Sequence, residues 1–112
     1  MIAYRVNMSP GAKQDLLAAA RYIAQESKSL DVAQAWLDGM RATIMGLKEM
    51  PQANPLAREN EAFAEEVRQK NYQSHRAIYT IHDEIGLVLV HRIWHTAQDN
   101  AGPDDLPNVT SD

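Results

Sequence analysis

FAEEVRQKNYQSHRAIYTIHDEIGLVLVHRIWH, residues 63–95, is the stretch whose reading decides the fold. His75 to Asp83 and Leu87 to His95 are dense in β-branched, aliphatic and aromatic residues, and they meet at Asp83-Glu84-Ile85-Gly86. That junction predicts a type I turn, with Gly86 placed for the positive φ of a following bulge. With a further strand before His75, the stretch reads as a three-strand antiparallel meander.

A bulge at Gly86 pairs Asp83 with Leu87, so that Arg76 lies opposite Trp94 and Ile78 opposite Arg92. One face then collects Ala77, Tyr79, Ile81, Leu87, Leu89, His91 and Ile93, which suits packing against helices. The other collects Arg76, Ile78, Thr80, His82, Val88, Val90, Arg92 and Trp94, too charged for a core and too apolar to be merely solvated. Arg68 and Lys70 share one parity in the preceding strand and are expected on this same open face. A two-residue turn would shift every partner by one and separate Arg76 from Arg92.

Upstream, Ile2, Tyr4, Val6 and Met8 alternate with Ala3, Arg5 and Asn7, the period of a strand with one buried face. Ser9-Pro10 reads as an N-cap followed by proline at the first helical position, where its missing N–H costs nothing. Leu16, Leu17, Ala20, Ile23 and Ala24 form the apolar stripe of a first helix, which the polar run Gln25 to Ser29 ends. Asp31 is expected to cap a second helix, in which Ala33, Trp36, Leu37, Met40, Ile44 and Leu47 repeat at helical spacing. Trp36 is expected in its core. That helix stops near Met50, because Pro51 disfavours helical geometry in the residue before it. Gly39 and Gly46 each cost about 1 kcal/mol in a helix interior, and packing against the alanine-rich first helix is the expected compensation. Residues 51–60, with two prolines and no periodicity, read as a loop, with one helical turn expected around Leu56 to Glu61.

Composition bounds the class. The 112 residues suffice for one core, and 45% apolar with 23% charged content indicates neither disorder nor a fibre. No run approaches the roughly 20 apolar residues of a membrane span, no signal peptide is evident, and there is no cysteine. A cytoplasmic protein is expected. Residues 1–95 balance 11 acidic against 11 basic side chains, while Asp99, Asp104, Asp105 and Asp112 carry the net charge of −4. Residues 1–98 therefore read as one domain, and residues 99–112 as an acidic, solvated, flexible tail.

The order strand, helix, helix, meander resembles the RelE/ParE superfamily of toxins from type II toxin–antitoxin modules. The matching pieces are YRVNMSPGAKQDLLAAARYIA, the tryptophan-containing second helix ending LKEMP, Val67-Arg68, HRAIYTI and the closing VLVHRIWH. Together they cover roughly residues 2–98. The resemblance implies an α+β fold and neutralisation by a cognate antitoxin whose C-terminal segment wraps the toxin. It also implies one of two targets. RelE-like members cut mRNA on the ribosome without metal, whereas ParE-like members poison DNA gyrase and are not known as hydrolases. Arg68 falls at the family's strand arginine, Arg76 at the arginine of its YRI-Y block, and His95 at the histidine that often closes the last strand.

After His95, where RelE-like nucleases continue with Arg, Lys or Tyr, this chain reads Thr96-Ala97-Gln98-Asp99. A neutral body with an acidic tail also suits RNA poorly, since affinity there rests on phosphate neutralisation. The ParE-like reading, gyrase inhibition, is therefore preferred. The alternatives are a RelE-like endoribonuclease and a non-toxic member that keeps only antitoxin binding. In the nuclease, Arg68, Arg76 and Arg92 would stabilise charge and Lys70 or His95 would move the proton.

Arg68, Lys70, Arg76, Arg92 and Trp94 are the candidate target- or antitoxin-binding residues. The plainer reading pairs each cation with Glu65, Glu66, Asp83, Glu84 or the tail, and a third reading has the acidic tail cover the face itself. Trp94 either stacks on a partner or seals a sheet edge, and His95 is by default a hydrogen-bonded strand end. No metal or other cofactor is expected: His91 and His95 lie about 13 Å apart along a strand, and His75 with His95 lacks a third ligand.

Overall fold

Strands β3 (His75–His82) and β4 (Leu87–His95) form the centre of a four-stranded sheet in the computed structural model, which describes residues 3–110. β2 (Arg68–Tyr72) pairs antiparallel with β3, and β1 (Arg5–Met8) pairs parallel with β4, giving the order β1-β4-β3-β2. Helices α1 (Pro10–Ser27) and α2 (Leu30–Met45) pack on one side of the sheet. The expected α+β architecture is present. The parts of the reading that concern Ile2 and Asp112 lie outside the described residues, and among these no helix is long and apolar enough to cross a membrane.

Local chemistry explains the boundaries. Ser9 caps α1 by accepting the Ala12 N–H at 3.0 Å, with Pro10 following. Ser29, not Asp31, caps α2, accepting the Val32 N–H at 3.1 Å; Asp31 sits in the first turn, where its charge suits the helix dipole. α2 ends at Met45, continues as a single 3-10 turn, and Met50 before Pro51 takes φ 49°. Gly39 does not answer to α1: a Cβ there would lie 1.9 Å from the Tyr72 hydroxyl, so the missing side chain makes room for β2. Gly46 sits at the C-cap with no neighbour within 4 Å of its would-be Cβ.

The bulge falls elsewhere than the sequence suggests. Gly86 adopts the left-handed conformation (φ 60°), but as the last residue of a four-residue connection closed by His82 opposite Leu87. The extra residue is His91, because Ile78 pairs with Arg92 and the next residue, Tyr79, pairs with Val90. Arg76 does lie opposite Trp94, as expected. On the near side of the bulge parity reverses, so Val88 and Val90, rather than Leu87 and Leu89, join Ala77, Tyr79 and Ile93 in the helix-side core. Trp36, Met40, Ile44, Leu47 and Leu16 complete that core, while Leu17, expected in the stripe, is 47% exposed.

A second core lies on the other side of the sheet. Ala57, Phe63, Val67 and Ile78 pack with Ala101, Leu106 and Val109, and Trp94 rests against them. The C-terminal segment, expected to be solvated, is thus laid across the outer face. Its sequence has acidic surface residues but also three aliphatic anchors, and burying those outweighs its polar composition.

Candidate functional site

The five binding candidates are not brought together. Arg68 pairs across the ladder with Tyr79 and Lys70 with Ala77, and directly opposed residues share a face. Both therefore lie on the helix side of the sheet, not on the open face, because the register of β2 is set by Tyr72 opposite His75. Arg68 donates to the Asn54 carbonyl at 2.6 Å and to Glu66 at 2.9 Å. Lys70 is exposed and makes no ion pair among the described residues.

Arg76 is on the outer face as expected, but it is 1% exposed. Its guanidinium grips Glu59 bidentately, with Nη1 at 2.7 Å from Oε1, and also donates to Gln69 Oε1 at 3.0 Å. Burial by itself would raise the Glu59 pKa. The hydrogen bonds from Arg76 and from the Ala101 N–H outweigh that and hold the carboxyl below its ordinary range. Arg76 is thus a structural cation joining β3, the loop before β2 and the C-terminal segment.

Arg92 is half-buried and rounds the sheet edge. β1 stops at Met8, so β4 from His91 onward has no strand neighbour on that side, and α1 takes its place. Ser9 Oγ donates to the His91 carbonyl at 2.7 Å. Asp15 Oδ2 accepts the Ile93 N–H at 3.0 Å and Arg92 Nε at 2.7 Å, while Oδ1 accepts Nη2 at 2.9 Å. These bonds to Asp15 raise the pKa of Arg92 and hold its guanidinium 5.1 Å from the Trp94 ring centroid.

His95 closes β4, its Nδ1 accepting the Ala97 N–H at 3.0 Å and its own N–H donating to Gln98. Its ring lies 5.1 Å from that of His75, which lies 5.0 Å from Trp36. Burial, and then the neighbouring His95, lower the pKa of His75. At the bulge, His91 Nε2 is 2.9 Å from Thr80 Oγ1, which is also 2.9 Å from His82 Nε2. Burial chiefly, with a contribution from His82 against the pull of Glu65, pushes His91 down to about 4.

Three residues matter that the sequence did not single out in these roles. Glu59 lies in an aperiodic loop, Asp15 falls on the flank of the α1 stripe, and Arg58 donates to the carbonyls of Thr96 and Gln98. Only their charge was visible beforehand. Glu59 and Asp15 pair with Arg76 and Arg92, and the C-terminal segment covers the outer face, on which the target- or antitoxin-binding residues were expected.

Comparison with known proteins agrees with this architecture. The family described as "ParE toxin of type II toxin-antitoxin system, parDE" matches residues 6–100. Among solved structures, the chain resembles one from the toxin–antitoxin complex RelBE2 of Mycobacterium tuberculosis, at 23% identity and TM-score 0.59, over 88% of this chain and 97% of that one. It also resembles one from the chromosomal ParDE toxin–antitoxin system of P. aeruginosa, at 14% identity and TM-score 0.67, over 83% and 96%. No curated protein matches it at a significant level.

Proposed function

Because the chain belongs to the ParE toxin family of type II toxin–antitoxin systems, we propose that it acts in the ParE manner, in the cytoplasm, by binding and inhibiting DNA gyrase. A cognate antitoxin protein would hold it inactive until needed, as both structural relatives come from toxin–antitoxin assemblies. One observation carries the preference for gyrase over mRNA cleavage. The arginines that would stabilise a scissile phosphate are already engaged, Arg76 by Glu59 and Arg92 by Asp15. Arg68 and Lys70 stand on the opposite side of the sheet. Metal-independent phosphodiester cleavage needs converging donors aimed at the developing charge, and paired, dispersed cations supply little of that.

Induction of the chain without an antitoxin tests the proposal. Growth arrest with loss of DNA supercoiling, DNA-damage signalling and intact message is the expected result, with purified chain inhibiting gyrase supercoiling in vitro. Codon-phased cleavage of mRNA on ribosomes would overturn it in favour of the RelE manner. Unimpaired growth with abundant folded protein would leave only antitoxin binding.

A further inference from the structure

Tyr72, His75 and His95 stand in one row across β2, β3 and β4, because Tyr72 pairs with His75 and His75 pairs with His95. Directly opposed residues share a face, and the Tyr72 hydroxyl against Gly39 of α2 shows that this face is the helix side. The two-residue turn Gln73-Ser74, with Gln73 at φ 51°, keeps the first pair in register. Tyr22 of α1 and Trp36 of α2 complete the walls of a 450 Å³ cleft, a volume that suits a small-molecule site. The rings are not stacked. His75 stands at 64° to Trp36 and at 76° to His95, with centroids 5.0 and 5.1 Å apart, so successive rings meet edge to face like the sides of a box.

No lysine, arginine, aspartate or glutamate lines the cleft among the described residues. Burial lowers the pKa of His75, which is therefore uncharged near neutral pH. Arg92 lines the neighbouring cleft, which shares Tyr22, His75 and His95, but Asp15 holds and neutralises it there. An anion thus finds no charged partner, and a metal ion finds two imidazoles without a third ligand. What the rings offer is the negative potential of their π-systems, and the group this attracts is a cation weakly hydrated enough to leave water. We propose that this cleft binds a methylated ammonium group, carried either by a free small molecule or by a lysine side chain of a partner protein. Trp36, Tyr72 and His75 form its floor, and Tyr22 and His95 its exposed rim. Gln73 and Ser74 stand beside the rim, where the main chain around a lysine would find polar partners. The inference is independent of the toxin reading, and its test does not use growth.

Choline and Nα-acetyl-trimethyllysine amide are the probes, and the control is the neutral analogue of choline in which carbon replaces nitrogen. Titrated with the purified full chain at neutral pH, the methyl proton resonance of each cation is expected to move upfield, as protons over ring faces do. The shift should saturate with a Kd on the order of 1 mM. The neutral analogue is expected to bind about tenfold more weakly. Tyr22→Ala should weaken both cations by about tenfold, whereas Tyr22→Phe, which keeps the ring, should stay within about twofold of the native chain. Tyr22 is 60% exposed, so both variants keep the fold, as an unchanged urea midpoint will show. Tighter binding of choline assigns the cleft to a free small molecule, and tighter binding of the lysine derivative assigns it to a partner's side chain. Equal binding of choline and its neutral analogue would make the cleft merely apolar, and undiminished binding by Tyr22→Ala would place the cation elsewhere. No saturable shift with either cation would remove the site; each of these three results overturns the proposal.

Discussion

Arg76→Ala should unfold this protein before it disarms it. The substitution leaves the Glu59 carboxylate, 2% exposed, without its bidentate partner. Removing one member of a buried ion pair costs about 3–5 kcal/mol, against a total stability on the order of 5–15 kcal/mol for a domain. With a urea slope of about 2 kcal/mol per molar, the midpoint falls by about 2 M. The pH dependence adds a sign. In the native chain the Glu59 pKa is depressed, so its pairing contributes stability that is fully present above the ordinary value of 4.5 and is lost as pH falls through the folded value. In Arg76→Ala the guanidinium no longer offsets burial, only backbone donors such as the Ala101 N–H do, and protonation relieves the stranded charge. The gap between the two proteins is therefore widest near neutral pH, begins to narrow as pH falls through the variant's raised Glu59 value, and narrows further below 4.5 as the native pairing is lost. Arg76→Met with Glu59→Leu should recover much of the loss, since neither charge is then left alone, apart from the hydrogen bonds to Ala101 and Gln69. An Arg76→Ala protein with an unchanged urea midpoint and abolished toxicity would refute the reasoning, because it would make Arg76 an outward-facing functional residue.

Other outcomes follow from single contacts. His91, buried and held near 4, should make stability rise with pH between about 4 and 6.5, since the unfolded chain binds the proton more tightly there; His91→Gln should flatten that rise, worth about 3 kcal/mol, in denaturation curves taken across the window. Gly39→Ala should destabilise by about 1–3 kcal/mol through its clash with Tyr72, and Tyr72→Ala should cost less in that background than alone, as a double-mutant cycle read by thermal unfolding. Gly86→Ala meets no atom within 4 Å, so its cost of about 1 kcal/mol is backbone strain alone, and Gly86→Asn should cost less than Gly86→Val in urea titration. Asp15→Asn frees Arg92 and weakens the Ile93 N–H acceptor; it should lower stability by about 1–2 kcal/mol at low salt, with the variant's stability in urea titration less salt-sensitive than the native chain's.

What the sequence by itself determined rests on local period and end chemistry. Ser9-Pro10 starts α1 because a hydroxyl cap and a proline are suited to that end whatever lies beyond it. The alternation of Ala77, Tyr79 and Ile81 set the inner face of β3, and Arg76 does meet Trp94 across the ladder. The order of these pieces also carried the family resemblance, which the match over residues 6–100 supports. Tertiary structure decided the rest. In β4, Leu87 and Leu89 are as apolar as Val88 and Val90, so either set could face the helices and the local pattern is the same after a slip of one. Packing against α1 and α2, together with Ser9 and Asp15 satisfying the free edge after β1 ends, placed the extra residue at His91 rather than Gly86. The fate of Arg76 and of the acidic tail was decided at longer range still. Glu59 lies 17 residues from Arg76 and 42 from Ala101, and no periodicity spans a loop. A carboxylate, a guanidinium and three small aliphatic side chains look solvated when read one at a time. Folding brings them together, and burial with pairing then turns an expected binding surface into an internal seam.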